Sequence, residues 1–198
     1  MSEEVLIQHC SPTLAGIKPA SLIHLQYENR KEAKQDIRMM NMRFFTQKGL
    51  RAIPMLYEAG GVLLYLYRPD YLSLLLGASR IKEYLEKLGY RWSSVAECVA
   101  ELALRVQQEG DFPHEIGLFL GYPLEDVVGF TQHKGKECKC SGYWKVYGDQ
   151  ERASCTFEQY RSCTRRYVRS WGRGVSLDSL IVEGFVALKE GHENKTNA

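Results

Sequence analysis

The spacing of apolar positions along the chain is mostly that of helices. From Asn29 to Lys48 the residues are helix formers, and Ile37, Met40, Phe44 and Phe45 fall on one side of the helix they predict. Gly49 stands where such a helix would stop. Tyr71 to Leu76 and Ile81 to Leu88 predict two more helices, the second ended by Gly89. The clearest start is at Ser94, where Ser94-Val95-Ala96-Glu97 forms a capping box able to take up orphan N–H groups at a helix start. Behind it Val95, Val99, Leu102 and Val106 recur at helical spacing, and Gly110 follows. Two short helices are expected with Pro113 and Pro123 in their first turns, where proline loses no hydrogen bond. The acids that follow, Glu115 and then Glu125 and Asp126, suit the positive end of the helix dipole. A last helix is expected from Gln150 to Trp171, with Phe157, Tyr160, Thr164, Tyr167 and Trp171 facing one way and Arg161, Arg165 and Arg169 forming a stripe elsewhere.

Strand periodicity is rarer. Ala52 to Tyr57 and Val62 to Tyr67 flank Glu58-Ala59-Gly60-Gly61, which predicts a β-hairpin turning on the two glycines. Tyr143 to Tyr147 alternates as a further strand, and Leu14 to Ile17 is expected to be a short fourth one. The fold class expected is α+β: a small, mostly antiparallel sheet, with its hairpin near 52–67 and a strand near 143–147, covered by several helices. One domain is expected over residues 1–189, with the polar, aperiodic residues 190–198 as a disordered tail.

Composition narrows the function classes. Of the 198 residues 44% are hydrophobic and 25% charged, which excludes wholesale disorder. The net charge is only +2, so there is no global pull towards nucleic acid or membrane. The longest apolar run is Val62 to Tyr67, far short of the roughly 20 residues a spanning helix needs. The acidic start, Met1-Ser2-Glu3-Glu4, lacks the apolar core of a signal peptide, and a cytoplasmic protein is expected. Cys10, Cys98, Cys138, Cys140, Cys155 and Cys163 are then expected as free thiols, several of them core filler.

Several motifs are missing. There is no phosphate-binding Gly-x-x-x-x-Gly-Lys-Ser/Thr loop, no Gly-x-Gly-x-x-Gly fingerprint, no Gly-x-Ser-x-Gly elbow and no Cys-x-x-Cys. His114-Glu115 is not followed by a second histidine at metalloprotease spacing. Cys138, Cys140, Cys155 and Cys163 are too unevenly spaced for a regular four-thiolate centre, and no metal site is expected.

Three places can carry chemistry. His9-Cys10-Ser11-Pro12-Thr13-Leu14-Ala15-Gly16-Ile17-Lys18 gathers an imidazole, a thiol, two hydroxyls and an ammonium, with Pro12 expected to prevent a continuous helix. Such a segment suits a small anionic ligand held by His9, Ser11, Thr13 and Lys18, or a nucleophilic Cys10 if a nearby cation or base ionises it. The second place is His114-Glu115, a possible acid/base pair in a first helical turn. The third is charge: residues 133–173 hold ten Lys/Arg against four Asp/Glu, and Arg161, Arg165 and Arg169 suit an acidic partner.

Four stretches carry a resemblance. His9 to Lys18, Leu64-Tyr65-Leu66-Tyr67-Arg68-Pro69, Phe112 to Phe130 and Gly142-Tyr143-Trp144-Lys145-Val146-Tyr147-Gly148-Asp149 resemble a family from anaerobic bacteria known only as domain of unknown function thirty-seven ninety-three. The match runs from about residue 5 to about residue 170. The family brings no activity, cofactor or catalytic residue. It implies by association a redox or iron-linked setting, with an acidic protein such as a flavodoxin as partner. The expectation is a ligand-binding or accessory protein whose pocket brings His9 to Lys18 towards His114 and Glu115. The alternatives are an enzyme using Cys10, or His114 with Glu115, and a docking module using the basic C-terminal helix.

Overall fold

Gly60, at φ +85°, turns the chain between Glu58 and Gly61, a backbone conformation that side chains other than glycine resist. The strands it joins, β2 (Arg51–Glu58) and β3 (Gly61–Tyr67), are the predicted hairpin. A strand that was not predicted, β1 (Ala20–Gln26), lies antiparallel on the other side of β3, giving the order β1-β3-β2. The computed structural model describes residues 3–108 and 112–186, so Gly110 and the 190–198 tail lie outside the described residues.

The helices are α1 (Glu3–Leu14), α2 (Arg30–Met40), α3 (Pro69–Leu76), α4 (Ser79–Lys87), α5 (Val95–Gln107), α6 (Ile116–Phe119), α7 (Leu124–His133), α8 (Gln150–Gly172) and α9 (Leu177–Leu180). A small second sheet pairs β4 (Cys140–Ser141) with β5 (Lys145–Val146). This is an α+β arrangement. The helix read over 29–48 forms with Asn29 as its cap, and passes through a π turn at Asn41–Phe45 and a 3₁₀ turn at Thr46–Lys48 before Gly49 ends it. At α5, Ser94 caps the Glu97 N–H as read, but the Glu97 carboxylate reaches one residue further back, to the N–H and hydroxyl of Ser93.

Two expectations are corrected. Leu14 to Ile17 is not a strand: Leu14 closes α1, and a turn leads to β1. Nor does Pro12 prevent a continuous helix. It sits in the last turn of α1, where a proline forfeits a single backbone hydrogen bond. Burial of Leu6, Ile7, Cys10 and Leu14 along one face outweighs that loss.

The sheet is covered on both faces. Val62, Leu64 and Leu66 pack with Ile23, Leu25 and Ala52 beneath α1, α2 and α9. Tyr65 and Tyr67 point the other way, with Ala20 and Met55, into a core built with α3, α4, α5 and α6. A satellite cluster of Trp144, Val146, Ala153, Phe157 and Tyr160 joins β5 to α8.

Where β3 ends, Arg68 is 1% exposed and meets no carboxylate among the described residues. Its Nε donates to the Thr13 carbonyl at 2.7 Å, and Nη2 to the carbonyls of Leu14 at 2.7 Å and Val182 at 2.8 Å. Nη1 donates to the Lys48 carbonyl at 3.3 Å and to that of Gly184. A guanidinium has five N–H donors, and each has an acceptor. Thr13, Leu14 and Lys48 close helical turns, so their carbonyls carry the negative end of a dipole that suits a cation. Burial lowers the Arg68 pKa to about 10, which leaves it charged at neutral pH. Arg68→Met should therefore cost at least about 4 kcal/mol in urea unfolding, since each orphaned carbonyl forfeits of the order of 1 kcal/mol. Arg68→Lys should recover the smaller part of that loss, because an ammonium lacks the fork.

Candidate functional site

The segment from His9 to Lys18 puts its polar groups to different uses. Cys10 is fully buried in the core beneath α1, and burial pushes its thiol up to about 12, against smaller opposing effects of Lys18 and Ser21. A thiol so placed is protonated and inert near neutrality. Ser11 donates to the Ile7 carbonyl inside its own helix, and Thr13 shares a hydrogen bond of 2.8 Å with Ser21 on β1. His9, on the opposite side of the helix from the core, is exposed.

Lys18 is different. It is 7% exposed, and its Nζ lies 5.9, 6.0 and 5.9 Å from the ring centroids of Tyr122, Tyr143 and Tyr160. These rings come from the α6–α7 turn, the β4–β5 turn and α8 respectively. Among the described residues no oxygen accepts a hydrogen bond from this ammonium and no carboxylate pairs with it. The rings supply cation–π attraction instead, an electrostatic contact worth more when water is excluded. Burial lowers the Lys18 pKa to about 8, with the Cys10 thiol acting weakly the other way. Burial raises the phenols of Tyr122, to about 12, and of Tyr160, so these two rings are uncharged at neutral pH.

The second segment divides. His114 is exposed and edge-on to Phe130 at 5.1 Å. Glu115 accepts from the Tyr90 hydroxyl at 3.0 Å and pairs with Arg105 at 3.4 Å, and Arg105 lies over the Tyr90 ring at 3.9 Å. Its partners are thus on the α5 side, and no hydrogen bond joins it to His114. The two segments do meet, but at later residues than expected. Pro19 packs on Gly121, where a Cβ would come within 2.5 Å of its ring, and Lys18 faces Tyr122.

Aromatic stacking builds a wall around this junction. Tyr122 stacks on Trp144 at 4.9 Å, Trp144 meets Phe157 edge-on at 4.5 Å, and Tyr143 meets Tyr160 edge-on at 5.2 Å. Asp126, buried in α7, fixes the wall: one carboxylate oxygen accepts from Trp144 Nε1 at 2.6 Å, the other from the Tyr147 and Gly148 N–H groups at 2.7 Å. Two clefts flank the wall. One, of about 540 Å³, lies between α3–α4 and α8 and is lined by Pro19, Tyr71, Trp144, Arg152 and Tyr160 among others. The other, of about 390 Å³, is lined by His114, Tyr122, Phe130, Trp144 and Lys145 among others. Trp144 belongs to both. Tyr160 belongs to the larger cleft and to the Lys18 cage.

The arginine stripe is on the surface of α8, where Arg161 and Arg165 share Glu158 at 3.0 and 2.6 Å and Arg169 is exposed. Cys138 and Cys140 are half-buried, Cys155 exposed and Cys163 buried. Among the described residues no three of His, Cys, Asp and Glu converge as a metal site, and no helix is long and apolar enough to cross a membrane.

The sequence profile of a family described as protein of unknown function, DUF3793, matches residues 6–181. The chain belongs to this family. No curated protein and no solved structure matches it. In this DUF3793 chain the matched span contains the whole junction of Lys18, the tyrosines, Asp126 and Trp144.

The lowered Lys18 pKa has a signed consequence. The unfolded chain keeps a proton, to a pKa of 10.5, that the folded protein releases above about 8, so stability rises with pH over that window. The Cys10 thiol, raised by burial from its ordinary value of 9, opposes this increasingly as pH nears 9, a contribution common to the wild type and a Lys18 variant. Relative to Lys18→Met, the wild type should gain of the order of 1 kcal/mol from pH 8 to 9, measured by urea unfolding of both proteins. Parallel pH profiles would mean that Lys18 is not buried as a cation.

Proposed function

We propose that this DUF3793 protein binds a small anionic molecule with an aromatic or apolar body in the cleft between α3–α4 and α8, with Lys18 as the counter-charge. The observation that carries the reading is the Lys18 side chain, 7% exposed, faced by three tyrosine rings and given no acceptor among the described residues. A buried cation is costly unless paired, and a carboxylate, sulfonate or phosphate oxygen would supply the missing acceptor. The cleft of about 540 Å³ is of the size that takes small ligands; Tyr71, Trp144 and Tyr160 give it an aromatic lining, Arg152 stands in it with Glu125 and Asp149, and Lys18 adjoins it through Tyr160, whose ring centroid is 5.9 Å from Nζ. Tyr143, 37% exposed, is the most exposed of the three rings. The role is binding: Cys10 is sealed and protonated, and His114 and Glu115 are engaged apart.

The test uses two fluorescent dyes of similar shape, anilinonaphthalene sulfonate and the neutral N-phenylnaphthylamine. Lys18→Met should weaken binding of the sulfonate about 10- to 100-fold, the worth of one charge-assisted hydrogen bond, and leave the neutral dye within about 2-fold. Equal sulfonate affinity in wild type and Lys18→Met would overturn the reading.

A further inference from the structure

The two outer edges of the three-stranded sheet are treated differently. The Tyr27 N–H donates to the Gly60 carbonyl at 3.1 Å, and the Arg68 N–H to the Pro19 carbonyl at 2.9 Å, both in the β1–β3 register. Odd-numbered residues of β1 therefore bond to β3, and Ala20, Leu22, His24 and Gln26 turn their N–H and C=O groups outward. By the same alternation Ala52 and Pro54 face outward from β2. There the edge is closed. The Asn41 side chain donates to the Ala52 carbonyl and accepts its N–H, both at 2.8 Å. Pro54 has no N–H to offer, the register slips between Pro54 and Leu56, and Gln107 donates to the Met55 carbonyl at 2.9 Å. Side-chain caps, proline and bulges are the devices by which proteins blunt a sheet edge.

β1 has none of them. Its sequence, Ala-Ser-Leu-Ile-His-Leu-Gln, contains no proline, glycine, Lys, Arg, Asp or Glu. Among the described residues nothing accepts from or donates to the outward backbone of Leu22, His24 or Gln26. Ala20 is buried, while Leu22 is half-buried and His24 and Gln26 are exposed, so the open edge is Leu22 to Gln26. An unprotected edge of this length is a template for another strand.

We propose that this edge pairs with the same edge of a second copy of the chain, β1 against β1, antiparallel about a two-fold axis at His24. The strand is self-complementary: Leu22 then faces Gln26 of the second copy, His24 faces its own counterpart, and every outward group of these residues gains a partner. No Lys, Arg, Asp or Glu on the strand opposes its copy, where like charges directly opposite would repel, and His24 lies with its Nε2 3.3 Å from the Glu58 carboxylate of its own chain. The product is one continuous sheet in the order β2-β3-β1-β1-β3-β2, ended on both sides by the blunted β2, and closed by two-fold symmetry.

Sedimentation of the full chain from micromolar to high micromolar concentration, with amide hydrogen exchange of Leu22, His24 and Gln26 read in parallel, tests this. A monomer–dimer equilibrium is expected, with those three amides protected as dimer forms. His24→Lys and Gln26→Lys change exposed side chains and should keep the fold while weakening association about 10-fold or more, as charged residues do at sheet edges. A monomer at all concentrations overturns the proposal. So does a dimer that both lysine variants leave unchanged, or one whose three amides exchange freely. Protection that appears only when an unrelated extended peptide is added would assign the edge to another chain and also overturn it.

Discussion

Arg68 is the point on which the separate parts of this chain converge. The guanidinium gathers the last carbonyls of α1, the end of the 3₁₀ turn after α2 and the segment that follows α9. These pieces come from the beginning, the middle and the end of the sequence and share no strand. A planar fork with five donors in fixed directions demands that five carbonyls arrive at set positions, which a hydrophobic surface alone would not require. The arrangement also decides where α1 stops. The Thr13 carbonyl that Arg68 holds also accepts from the Gly16 N–H, and the Pro12 carbonyl accepts from the Ile17 and Lys18 N–H groups, which sets the turn that brings Pro19 against Gly121 and Lys18 towards Tyr122. The anchor and the candidate site are thus one chain of cause.

Two buried cations stand close in sequence to the ends of β1 and β3, and they are solvated in opposite ways. Arg68 has every proton accepted by a carbonyl. Among the described residues Lys18 has aromatic faces and no oxygen acceptor. Protein interiors usually pair or fully hydrogen-bond such groups, and those that do not are where function is to be sought. Asp126 shows the ordinary case in the same region: its carboxylate accepts from three N–H groups and serves the architecture.

Local signals made much of the fold legible. The Ser94 cap, the Gly60 turn and the run ended by Gly49 are each written in a few adjacent residues, and each forms. Pro12 misled because its cost depends on position within a helix, and the rules for breaking helices weigh it without knowing that Leu6, Ile7, Cys10 and Leu14 bury one side. β1 was missed for a related reason. Its burial alternates from Ser21 to Gln26, but polar Ser21 stands on the buried side and apolar Leu22 on the more open one, so the residue types blur the alternation. The candidate site was legible as segments but not as contacts. His9 to Lys18 and Phe112 to Pro123 do meet, yet through Lys18, Pro19, Gly121 and Tyr122 and not through Cys10 and His114. Tyr122, Tyr143 and Tyr160 lie on three elements with no shared period, so nothing along the chain marks them as neighbours of one amine.

Trp144 is the common wall of the two clefts, and Asp126 pins its indole nitrogen. Both clefts therefore share one wall, and a substitution at Trp144, or at the Asp126 that holds it, reshapes two hollows at once.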